Sequence, residues 1–196
     1  MADPSYIVDG VLTDGEAWVA LASTTLGADT ADITFTSPAD GSSLDWSQFM
    51  DLIVIAYLRS AVNDYSTTCY LNINGSSTNA DYALQQFVGN GSAAVATAPG
   101  TTHVFFPTLI GDHAANPANA FSAAIGHFFN INSGAYKSWL TEAASDMDGG
   151  GAASLVAGSF LGQAAVTSLK FYCSSGSDLL DESRIDLFGV LPRMVA

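Results

Sequence analysis

Hydrophobic and polar residues alternate at period two over much of this chain. Ile33-Thr34-Phe35-Thr36 and the run from Thr67 to Asn74 (TTCYLNIN) put every second side chain on one apolar face, the spacing of a half-buried β-strand and not of a helix. Residues 51–59 (DLIVIAYLR) are instead almost continuously apolar, short and rich in β-branched side chains, which predicts a central strand buried on both faces. Further strands are expected at 18–21, 82–88, 103–106, 121–131, 136–140, 154–160, 166–173 and 184–191. Residues 83–87 would also accommodate one helical turn; no longer helix is expected. Turn chemistry separates the strands at 38–43 (PADGSS), 75–77 (GSS) and 89–91 (GNG), and Asn132-Ser133-Gly134 links two of them as a hairpin. Residues 146–153 (DMDGGGAA) are the most flexible stretch by composition.

About ten short strands at such spacing predict an all-β fold, a single antiparallel β-sandwich. Residues 1–17 are polar and punctuated by Gly and Asp, with one apolar knot at Tyr6-Ile7-Val8. They read as an N-terminal arm, leaving 18–196 as the sandwich domain. The arm's apolar knot is a candidate segment for docking on a partner, ordered only on binding.

Composition sharpens this picture. Hydrophobic residues make up 48% of the 196 residues, enough for a core without metal or disulfide staples. Charged residues are only 12%, so the polar surface falls to Ser, Thr, Asn, Asp and Gly, which compete with helices through local backbone bonds. Nineteen acids against five bases leave a net charge of −14, which excludes phosphate-driven nucleic-acid binding and disfavours anionic membranes. The start, Met1-Ala2-Asp3-Pro4, lacks the basic and apolar regions of a secretory signal, and no stretch reaches the ~20 apolar residues of a spanning helix. Synthesis in a cytosol without ordinary export is the expectation. Cys69 and Cys173 lie on expected strands and read as buried free thiols, though spacing leaves their separation open.

Candidate chemistry is sparse. His103, His113 and His127 stand apart from one another and from any metal-binding motif. Gly158-Ser159-Phe160-Leu161-Gly162 lacks the spacing of a nucleophile elbow. Glu16, Glu142 and Glu182 are the only glutamates for a carboxylate pair. Asp146-Met147-Asp148-Gly149 opens like a calcium loop but lacks the closing carboxylate. No catalytic residue, metal site or cofactor is therefore expected. Trp18, Trp46 and Trp139 either pack in the core or, if exposed, stack on sugars; Trp46 and Trp139, beside polar loops, are the candidate glycan-binding pair.

Several short segments carry a family likeness. They are residues 21–27 (LASTTLG), 33–37 (ITFTS), Phe49-Met50-Asp51-Leu52 closing at Arg59-Ser60, 71–75 (LNING) followed by Tyr82, and the final Leu187-Phe188-Gly189-Val190. With these, residues 21–190 resemble a family of jelly-roll or carbohydrate-module-like β-sandwich proteins found in tailed-phage genomes. The chain departs from that pattern in its longer arm, in residues 40–47, and in Phe188 where the family has Tyr. The resemblance implies a non-enzymatic virion component, assembled in the host cytoplasm. A capsid decoration or head-fibre protein docking on the major capsid protein is the first expectation, and a tail or baseplate module gripping a host-surface glycan is the alternative. A homo-oligomer, with a trimer favoured, is implied by the same setting.

Overall fold

The computed structural model describes residues 18–91, 102–146 and 150–191, together with the backbone of 7–8, 11–12 and 94–100. Strands β1 (Ile7–Val8) and β2 (Val11–Leu12) pair only with each other. The sandwich follows with β3 (Trp18–Thr25), β4 (Asp32–Thr36), β5 (Asp51–Leu58), β6 (Ser66–Ile73), β7 (Tyr82–Gly89) and β8 (Ala94–Gly100). It continues with β9 (Val104–Ile110), β10 (Ser122–Phe129), β11 (Lys137–Asp146), β12 (Gly151–Phe160), β13 (Ser168–Cys173) and β14 (Arg184–Val190). A large sheet runs β3-β14-β5-β10-β11-β12-β7-β8 and a small one β4-β13-β6-β9, with antiparallel neighbours in both. The expected all-β sandwich is what the chain forms.

Two hairpins, β7–β8 and β11–β12, are insertions in a simpler plan. Without them, β3, β14, β5 and β10 face β4, β13, β6 and β9. The chain then crosses between sheets at every step except β6 to β9, which is the jelly-roll winding of two Greek keys. Both hairpins extend the large sheet from β10, making it twice as wide as the small one. The inner face of the extension is covered partly by β9, which packs against β11 and β12.

The core lies between the sheets. Phe105 meets Phe171 edge-on (4.9 Å between centroids) and lies parallel to Phe128 (6.3 Å), both within the geometry that makes aromatic pairs attractive. Room for Phe105 is made by Gly126, where a Cβ would stand 2.5 Å from the ring. Two cations are buried at the loops. Lys137 Nζ donates to the carbonyls of Ser133 (2.5 Å), Ala135 (2.6 Å) and Gln163 (3.1 Å), tying the β10–β11 connection to the segment after β12. Arg59 donates to Asp112 Oδ1 (3.0 Å) and to the Ala118 carbonyl.

Cys69 and Cys173 are free, buried and directly opposite one another on β6 and β13. Ser174 N donates to the Thr68 carbonyl (2.9 Å) and Asn74 N to that of Ser168 (3.0 Å), so the hydrogen-bonded pairs fall on even positions of β6. The cysteines therefore occupy a non-hydrogen-bonded pair, where Cα atoms approach to about 4.5 Å.

Four expectations need correction. Residues 83–87 are strand throughout, because alternate side chains from Tyr82 onward face the core. Residues 94–100 form β8, which the Ala-rich composition did not announce. Of residues 146–153, expected to be flexible, Asp146 ends β11 and Gly151 begins β12, and the two are a cross-strand pair. Finally, β5 is not buried on both faces: Ile55 and Tyr57 are 39% and 47% exposed.

Candidate functional site

The exposed side of β5 belongs to a larger surface. Outward positions of a solvated sheet are normally polar, yet a continuous row crosses five strands here. Ile55 on β5 pairs with Ile125 on β10, Ile125 with Glu142 on β11, Glu142 with Leu155 on β12, and Leu155 with Phe87 on β7. All five side chains are exposed, Phe87 by 49%. At ~4.8 Å per strand the row is about 19 Å long.

Beside this ridge runs a shelf of small residues. Ala123, Ala144, Ala153 and Gly89 follow one another in register from Tyr57. Tyr57 closes the shelf at one end by stacking on Phe121, with centroids 4.6 Å apart. Ridge and shelf together make an open trough of about 710 Å³. Its physical character is simple: large apolar side chains, a flat floor, and one carboxylate, Glu142, in the middle of the row. Further along the same face, His127 Nε2 lies 2.9 Å from Asp51 Oδ2 and its ring stacks on Phe129. Asp51 Oδ1 also accepts from Asn130 N (2.7 Å), so this pair holds the end of β10 in place.

The glycan-binding pair expected at Trp46 and Trp139 is corrected, since both are only 2% exposed. Trp139 sits opposite Gly158, and its indole lies where a Cβ at 158 would be. It also stacks near Phe128 and meets Tyr82 edge-on. Alternate positions Lys137, Trp139 and Thr141 of β11 face the core, and the absent side chain at Gly158 leaves room there for the ring. Trp46 is held by a capped 3₁₀ turn, Trp46–Gln48: its backbone N–H donates to Ser37 Oγ (3.0 Å) while Asp45 Oδ1 accepts from Ser47 N (2.9 Å). The turn directs the indole into the main core cluster. Of the arm's docking knot, Tyr6 lies outside the described residues, and Ile7 and Val8 form β1.

On the small sheet, His103 is buried with Nε2 2.8 Å from Tyr172 Oη, which in turn donates to Asn72 Oδ1 (3.3 Å). Burial holds the pKa of His103 below its ordinary value. Among the described residues no group of three or more His, Cys, Asp or Glu could hold a metal ion. Asp148 of the calcium-like loop lies outside them.

The outer row was legible in one respect only. Apolar residues on both parities of residues 51–58 marked a strand with two hydrophobic faces; that its second face is open to solvent depends on what packs there. No known protein family, curated protein or solved structure matches this chain.

Proposed function

We propose that the chain is a non-enzymatic structural component of a tailed-phage virion, a decoration or head-fibre type of protein that docks on the capsid. The observation that supports this reading is the apolar outer face of the large sheet. Soluble proteins rarely leave a contiguous hydrophobic surface uncovered, and such patches mark protein contacts. Leaving Ile55, Ile125, Leu155 and Phe87 half in water costs on the order of 1 kcal/mol each, which a covering partner would recover. The N-terminal arm, with Tyr6, Ile7 and Val8, is a second contact in this reading. The trimer suggested by the family likeness would form through other surfaces.

Glycan capture by Trp46 and Trp139 loses its support, since both lie in the core. The test is incorporation. Particles are assembled with wild-type chain or with Ile125→Asp/Leu155→Asp, whose fold is first checked by circular dichroism. Wild-type chain should copurify with particles and label the head, while the double variant should be reduced about tenfold or more. A variant incorporated as well as wild type, or label on no part of the particle, overturns the proposal.

A further inference from the structure

The row across the large sheet is symmetric in character, with two bulky apolar residues on either side of Glu142. A second copy of this chain is the first partner to consider. A two-fold axis through β11 would set Ile55 against the partner copy's Phe87, Ile125 against Leu155, and Glu142 against Glu142. Shifting the axis by one strand, onto β12 or β10, only moves Glu142 onto Phe87 or Ile55. Every such pairing buries a carboxylate against its like or against hydrocarbon.

The chain has no described cation free to relieve it. Arg59 and Lys137 are buried and bonded as above. Lys170, on the other sheet, is paired with Asp32 (2.8 Å). Arg184, opposite Tyr57 at the rim, gives two hydrogen bonds to Asp186 Oδ1 (3.0 and 2.9 Å). The fifth base, Arg193, lies outside the described residues.

Resting on the docking reading above, we infer that Glu142 selects the partner: it bars self-pairing through this face and requires a different protein whose apolar surface carries one lysine or arginine. An unpaired charge is an effective device against the wrong partner, because a buried carboxylate without a counter-charge is strongly disfavoured. The same group becomes an attractive contact when the partner brings a cation to it. The −14 charge of the chain adds to this at long range by drawing basic partners.

The test has two arms. Sedimentation velocity compares wild type with Glu142→Leu and with Glu142→Leu/Leu155→Asp. Removing the carboxylate should create a self-association at least about tenfold stronger than any in wild type, and Leu155→Asp should abolish it. In the second arm, fluorescence anisotropy follows three helical peptides with one leucine stripe, interrupted at its centre by Lys, Gln or Glu. The Lys peptide should bind wild type about tenfold more tightly than the Gln peptide, with the Glu peptide weakest. In Glu142→Gln the Lys preference should vanish while binding to the Gln peptide stays.

If the three peptides bind alike, or wild type already pairs through this face as shown by its loss in Leu155→Asp, the inference is overturned and the docking reading stands. If no peptide binds and Glu142→Leu does not self-associate, the docking reading falls, and this inference with it.

Discussion

Trp139 shows how strand parity and one small neighbour together set a side chain's place. A tryptophan beside a polar turn would be expected to reach solvent, yet Gly158 across the strand leaves a gap that only an aromatic plate fills. Gly158→Ala would drive a methyl group into the indole, well inside van der Waals contact. A loss of about 1–3 kcal/mol is expected from this overpacking, read as a lower urea midpoint with an unchanged slope. A midpoint equal to wild type would show that the ring is not confined. The residues involved were visible in the sequence. Their opposition was not, because Trp139 and Gly158 meet only once β11 and β12 pair in their particular register.

Among elements, β6 and β13 bring the two cysteines together over a separation of more than a hundred residues. Their non-hydrogen-bonded pairing is compatible with disulfide geometry, but burial keeps oxidants away and pushes both thiol pKa values up, Cys69 the further. Diamide should therefore leave the native protein unreacted. In urea near the unfolding midpoint, followed by refolding, it should yield an intramolecular disulfide, seen as loss of two hydrogens by mass spectrometry. The linked form should be more stable by roughly 5 kcal/mol on chain-entropy grounds. Rapid native-state oxidation would contradict the burial, and a linked form that fails to refold would contradict the pairing. The strands themselves were largely legible: period-two alternation placed β4, β6 and β10, while β8 escaped because Ala and Thr carry little hydrophobic contrast. In β5 the apolar run correctly implied two hydrophobic faces, and its mistake was to supply both covers from within one chain.

At the scale of the whole molecule, nineteen acids shape the response to pH. Backbone N–H groups of Ser47 and Gly41 hold the Asp45 carboxyl below its ordinary value. For Asp32 and Asp186 burial pushes upward, but hydrogen bonds, from Lys170 and Thr34 in one case and from Arg184 and Ser23 in the other, outweigh it and leave both lowered. A carboxyl lowered on folding contributes stability above its unfolded value of 3.8, and that contribution is lost as pH falls through the folded value. His103 is also lowered, so the unfolded chain binds its proton first and stability declines as pH drops below 6.5. Urea midpoints should thus fall in two stages on acidification, a first small step below pH 6.5 and a larger one below 3.8. His103→Phe should remove the first stage alone; a first stage that survives this substitution would assign it elsewhere.

The division between sequence and structure is now concrete. Period-two patterning, scarce charge and turn chemistry by themselves determined an all-β sandwich, because backbone pleat and hydrophobic burial act locally on alternate residues. The surplus of apolar positions in β5, β10 and β12 was written there too. Tertiary structure alone decided which surplus becomes core and which becomes surface. The small sheet covers one side of the large sheet and nothing in the described chain covers the other. Strand register then set Glu142 among Ile55, Ile125, Leu155 and Phe87, residues remote in sequence that only hydrogen-bonded pairing aligns.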